Sequence, residues 1–228
     1  MKFSRSKKLS FVNNKGGVGK STLAYNTAVK FANKGYKTVL IDLDPQCNLT
    51  RLALGEEYFE NTIFSASSKT MYDVLRGVIE GGSDIDLQTN FEQAKGSPEN
   101  LYVLRGDMRL SEYESVLSTA YNSAAAGQRI GYFITSAIDR FLREKGLSEQ
   151  VDIFIIDTSP TLGLLNRVIF LGSDYFAVPL MPDALSLQGI ENLGTIFEQW
   201  KFNWRDTGRA LAKDIENQYV LDGEGLFI

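Results

Sequence analysis

A doubly wound α/β domain, with a mostly parallel sheet flanked by helices, is the fold class expected from three observations. Apolar runs with the β-branched content of buried strands alternate with helical patterns along the chain. A glycine-rich turn, GGVGK at residues 16–20, lies between the first such run and the first such helix. Aspartates end the later runs, at Asp42, Asp44 and Asp157, where an open parallel sheet places its ligands.

The elements follow in order. LSFVNN (9–14) is a short apolar run that enters the glycine turn. STLAYNTAVKFANKG (21–35) carries Leu23, Ala24, Thr27, Phe31 and Ala32 at helical spacing and stops at Gly35. KTVLIDLD (37–44) has the look of a buried parallel strand and closes a first βαβ unit. Residues 56–100 are polar, glycine-bearing and weakly periodic apart from MYDVLRGVIEGG, which predicts a surface excursion from one domain spanning 1–228. Residues 130–146 and 185–200 carry helical patterns, and 151–160 and 174–182 are two further buried-strand candidates. No internal repeat or low-complexity tract is visible.

Composition narrows the chemistry. The 228 residues include 43% hydrophobic side chains, enough for a sizeable core, and carry a formal net charge of -4, which argues against a constitutively basic nucleic-acid binder. With no histidine and one cysteine, Cys47, there is no intrachain disulfide, no cysteine-only metal site and no histidine base. The N-terminus is basic but reaches the glycine loop before any apolar stretch of signal-peptide length, and no window approaches ~18 apolar residues. The expectation is a chain of a reducing cytoplasm, neither secreted nor membrane-spanning.

NNKGGVGKST (13–22) is nearly a phosphate-binding loop, G-x-x-x-x-G-K-[ST], with Asn14 where the pattern wants glycine. Gly16, Gly17 and Gly19 clear side chains from a nest of backbone N–H groups at a helix N-terminus, with Val18 between them and Thr22 behind. Lys20 brings a point charge to the β- and γ-phosphates, and the Ser21 hydroxyl suits Mg²⁺. Asn14 is expected to replace glycine by tolerating positive φ. Asp157, ending IFIID, looks like a metal-holding aspartate. Asp44 is expected to orient water and Asp42 to support the metal region, although an aspartate capping a strand is as often a turn former. Lys15 is a second lysine with no clear duty to its own nucleotide, and so is free to serve another site. Lys201, Arg205, Arg209 and Lys213 recur every four residues, a stripe that suits either DNA phosphates or a solvated helix face.

NNKGGVGKST, VLIDLDPQCNLT, FIIDTSPTLGLLN and AVPLMPDALSLQGIENL together resemble the deviant Walker A ATPases of the ParA/Soj type, over residues 9 to 195. The resemblance implies ATP/ADP with Mg²⁺ and a homodimer when ATP is bound, in which Lys15 is the signature lysine reaching the partner's phosphates. It further implies non-specific DNA, a ParB-like stimulating partner and a bacterial or archaeal cytoplasm, near the nucleoid. Pro182 and Asp183 would line the adenine pocket, DTSPTLG would be a switch, and TMYDVLRG and NLYVLRGDMRLSEYE echo the family's intervening elements. Two departures stand out. Cys47 replaces a usual glycine and is expected to be a small buried thiol, and the chain stops at Ile228 where family members continue, as a truncated piece or a natural short form. Two functions remain open: a slow ATPase switch, or a nucleotide-dependent dimerisation module with little or no turnover.

Overall fold

The computed structural model describes residues 5–63, 65, 68–181, 184–204, 215–221, 223 and 225–227. Strand β1 (Lys7–Phe11) runs into the glycine turn and then helix α1 (Lys20–Asn33). Strand β2 (Thr38–Asp42) follows, and α2 (Asn48–Leu54) and α3 (Glu56–Thr62) meet at Gly55. Next come α4 (Met71–Glu80), the two-residue β3 (Glu92–Gln93), β4 (Leu101–Leu104) and α5 (Leu110–Ala125). Helices α6 (Arg129–Thr135) and α7 (Ala137–Ser148) lead to β5 (Ile153–Asp157) and α8 (Leu164–Gly172). Strand β6 (Tyr175–Ala177), α9 (Ala184–Phe202) and β7 (Leu226–Phe227) complete the described chain.

The described strands form one sheet in the order β3-β4-β2-β5-β1-β6-β7. β3 is antiparallel to β4, and every other pairing is parallel. The expected doubly wound, mostly parallel sheet is therefore present. Its central strands bury both faces, which is why their sequences are continuous apolar runs. In β5, Ile153 and Ile155 pack with Ala24, Ala28 and Ala32 of α1, whereas Phe154 and Ile156 join the larger core with α4 to α9. Alanine every four residues on α1 lets that helix lie close over the sheet and fixes where its N-terminus, the end of the glycine turn, must sit.

Several boundaries differ from the sequence expectation for identifiable reasons. β1 begins at Lys7, earlier than expected, because Lys8 is buried against Asp139 of α7 and so enters the sheet as one half of an ion pair. β6 ends at Ala177, short of the expected 174–182, since Pro179 has no N–H for a ladder. The helix expected over 130–146 is split at Ser136, where the Thr135 hydroxyl donates to the Gly131 carbonyl at 2.8 Å and competes with the helical bond. Within the expected surface excursion, α4 buries Met71, Val74, Leu75 and Val78 in the main core. Its start is fixed by a capping box in which Thr70 accepts from the Asp73 amide and Asp73 accepts from the Thr70 amide. Among the described residues no helix is long and apolar enough to cross a membrane.

Candidate active site

The sheet order places β1 between β5 and β6, so the turn after β1 opens beside the carboxyl end of β5. Asn13 shapes that turn. Its side-chain oxygen accepts from the Lys15 amide at 2.8 Å, and its side-chain nitrogen donates to the Pro179 carbonyl beyond β6. Only Gly17 (φ 75) and Gly19 (φ 80) in the loop adopt the left-handed conformation, and Gly19 is the N-cap of α1. The role expected for Asn14 is corrected here: it is not among the positive-φ residues, because the Asn13 side chain already turns the chain. Lys15, Gly16 and Gly17 are exposed on the rim, while Val18 and Lys20 are buried.

Lys20, 7% exposed, donates to Asp157 and to the Thr158 carbonyl. Asp157 is fully buried; burial pushes its carboxyl above the ordinary range, against the opposing pull of the Lys20 ammonium and the Ser21 hydroxyl. Its Oδ2 is buried and has no hydrogen-bond partner among the described residues. An orphaned carboxylate oxygen next to a serine hydroxyl fits a magnesium ion, whose remaining positions would go to phosphate oxygens and water. No cluster of three or more histidine, cysteine or carboxylate side chains that could hold a metal by itself occurs among the described residues.

The other two aspartates separate. Asp44 stands across from the loop and lines with it an open cleft of about 780 Å³, whose other wall is made by α2 and the start of α3. Asp42, expected to support the metal region, is held by protein donors. Its Oδ2 accepts from the amide (2.8 Å) and hydroxyl (2.7 Å) of Thr50, and its Oδ1 from the Asp44 amide (3.1 Å). The Thr50 hydroxyl in turn accepts from the Gly106 amide at 3.0 Å, which ties the loop carrying Asp44 to the end of β4. Sequence reasoning missed both Thr50 and Asn13. Cys47 occupies a left-handed conformation (φ 55) at the N-cap of α2, a geometry that suits glycine better than cysteine. Its thiol is buried and pushed up to about 12, by burial first and then by Asp42, so it is chemically quiet at neutral pH.

Asp42 and Asp157 are register partners on adjacent strands. Burial first, and then Asp157, push the Asp42 carboxyl from 3.8 to about 7. The unfolded chain releases this proton near pH 4 and the native one keeps it to about 7, so the stability contributed by this group falls as pH rises through that window. Asp42→Asn is expected to flatten the fall by on the order of 2 kcal/mol in denaturant unfolding compared at pH 5 and pH 7. An unchanged pH dependence in the variant would remove Asp42 as the titrating group.

Pro182 and Asp183, and Arg205, Arg209 and Lys213 of the basic stripe, lie outside the described residues; Lys201 closes the last turn of α9.

Comparison with known proteins places this geometry among relatives. The AAA domain family AAA_31 matches residues 6–207. Sporulation initiation inhibitor protein Soj of Bacillus subtilis is 29% identical over 219 residues, covering 94% of this chain and 70% of Soj. The virulence plasmid ParA family protein pGP5-D of Chlamydia psittaci is 28% identical over 191 residues, 82% of this chain and 61% of that one. The crystal structure of protein DIP2308 from Corynebacterium diphtheriae superposes with a TM-score of 0.82 at 30% identity, over 93% of this chain and 74% of its own. Among eight of its curated relatives the chain spans from 41% to 77% of their length, and less than two thirds of most of them.

Proposed function

This chain belongs to the AAA_31 family of AAA domains, beside relatives of the ParA and Soj type, and from that premise we propose that it is an ATP-hydrolysing switch in the partitioning or positioning of DNA or other cargo. The observation that carries the reading is the meeting of Lys20, Ser21 and the half-unpartnered Asp157 at the head of a glycine-turned helix, with Asp44 on the same cleft.

Each residue has a task. The backbone N–H groups of residues 16–22 cradle the phosphates, and Gly17 and Gly19 hold them in the necessary conformation. Lys20 supplies positive charge to the β- and γ-phosphates from its buried position. Magnesium held by Ser21 and Asp157 would neutralise charge on the phosphate oxygens. Asp44 orients the attacking water, while Asp42 acts at one remove by fixing the Asp44 amide and, through Thr50, the start of α2. Lys15, at the rim, serves the phosphates of a second copy, so that ATP closes a homodimer and hydrolysis opens it. Pro182 and Asp183 border the adenine, and Lys201, Arg205, Arg209 and Lys213 meet DNA phosphates without sequence preference. A ParB-like protein stimulates turnover, and the cycle runs in the cytoplasm of a bacterium or archaeon.

Asp44→Ala tests the catalytic part. The phosphate nest holds the ground state and a water-positioning carboxylate acts on the transition state, so the variant is expected to bind ATP as before and to lose turnover by roughly 10²-fold or more. Steady-state phosphate release beside a calorimetric titration reads both quantities. Wild-type turnover in Asp44→Ala moves the role to another residue. ATP binding without turnover in the unmodified chain would leave only a nucleotide-dependent dimerisation module.

A further inference from the structure

The phosphate loop explains one side of the cleft, and the opposite wall holds a cation that nothing above uses. Asn48, Arg51 and Leu52, at spacings of three and four along α2, face the loop, and Glu56 joins them just beyond Gly55. The Arg51 guanidinium lies 3.4 Å from the Glu56 carboxylate, with side chains 44% and 56% exposed, and 5.1 Å over the Phe59 ring. An ion pair so open to water is weak and yields to a stronger anion. Gly55 connects its two halves with φ 82 and ψ 143, a conformation reserved for glycine, so the pair spans a joint between two short helices.

The wall also says which end of a nucleotide Arg51 would meet. Among the described residues the cleft is lined by the phosphate loop, the segment bearing Asp44, α2 with Glu56, and Pro160, so Arg51 shares it with the loop whose amides suit phosphate. Arg51 therefore looks at the phosphate end. A terminal phosphate carries about two charges and presents the paired oxygens that a guanidinium fork grips bidentately, which a single carboxylate on an exposed joint cannot match.

We infer that Arg51 contacts the terminal phosphate of a bound nucleoside triphosphate, released to it by Glu56, and so makes the cleft prefer triphosphate to diphosphate. This rests on the reading of the cleft as an ATP site. The test is calorimetric titration of the full chain, with magnesium, by a non-hydrolysable ATP analogue and by ADP. Arg51→Ala is expected to weaken the analogue roughly tenfold, the worth of one charge-assisted contact, with little change in ADP affinity. Glu56→Gln is expected to tighten the analogue several-fold and leave ADP alone, since it removes the competing anion. An Arg51→Ala protein whose ratio of analogue to ADP affinity equals that of the wild type overturns the inference, and an unchanged ratio in Glu56→Gln overturns the part given to Glu56. Failure of the underlying reading is separate: the unsubstituted chain would then bind neither nucleotide.

Discussion

Lys20→Ala is expected to abolish measurable ATP binding and to destabilise the nucleotide-free protein together. The same ammonium does both jobs. In the proposed function it is the point charge for the phosphates, and in the fold it is the cation paired with the fully buried Asp157. Removing it leaves a buried carboxylate without its counter-charge, a change that costs roughly 3–5 kcal/mol when a buried pair loses one member. Calorimetric titration and urea unfolding read the two effects independently. Lys20→Ala combined with Asp157→Asn is expected to recover most of the lost stability and none of the binding, because the amide needs no counter-charge while the phosphates still lack theirs. Unchanged ATP affinity in Lys20→Ala overturns the assignment of the loop, and unchanged stability overturns the structural part of the pair.

Lys15→Gln should have the opposite profile. Lys15 is exposed at the rim of the cleft, and its backbone amide donates to the Asn13 side chain at 2.8 Å. An exposed lysine at the rim suits service to a second subunit, whereas Lys20 is buried within its own. A cation delivered in trans to a transferring phosphoryl group is worth roughly 10³–10⁵ in rate, and in an isologous dimer each subunit gives and receives one. The substitution is expected to leave ATP binding by the monomer nearly intact while removing ATP-induced dimers and turnover together. Sedimentation in the presence of ATP, run beside phosphate release, decides it: a Lys15→Gln protein that still dimerises and still hydrolyses shows that the lysine has no such role.

How much of this was legible in the chain depended on how local each cause was. The glycine turn, β2 and β5 announce themselves because a strand buried on both faces must be apolar at every position and the turn's glycines sit within a few residues of one another. Asp157 was readable for the same reason, standing at the end of such a run. Asp42 and Asp44 look alike in sequence, two residues apart, yet one is buried against Thr50 and the other lines the cleft; that choice is made by the packing of Thr50 of α2 onto Gly106, 56 residues along the chain. Asn13 offers a local cue, an asparagine two residues before the amide it turns, but its second partner, Pro179, is set only by the sheet order. Arg51 and Glu56 carry no pattern, since their relation exists only once Gly55 bends two seven-residue helices around them.

The strand order also sets a timetable for synthesis. β2 finds β4 within a short span of chain, but its other neighbour, β5, is the partner that β1 needs as well, Leu9 opposite Ile155. Closing a loop of that length is slow compared with local pairing. As the polypeptide leaves the ribosome, the edge half of the sheet can assemble while β1 and its glycine turn wait, their apolar edges unmatched, for residues 153–157 to emerge. The phosphate loop, encoded well before β5, thus waits for it, and a nascent chain stalled before Ile153 would present that unmatched strand to chaperones or to other nascent chains.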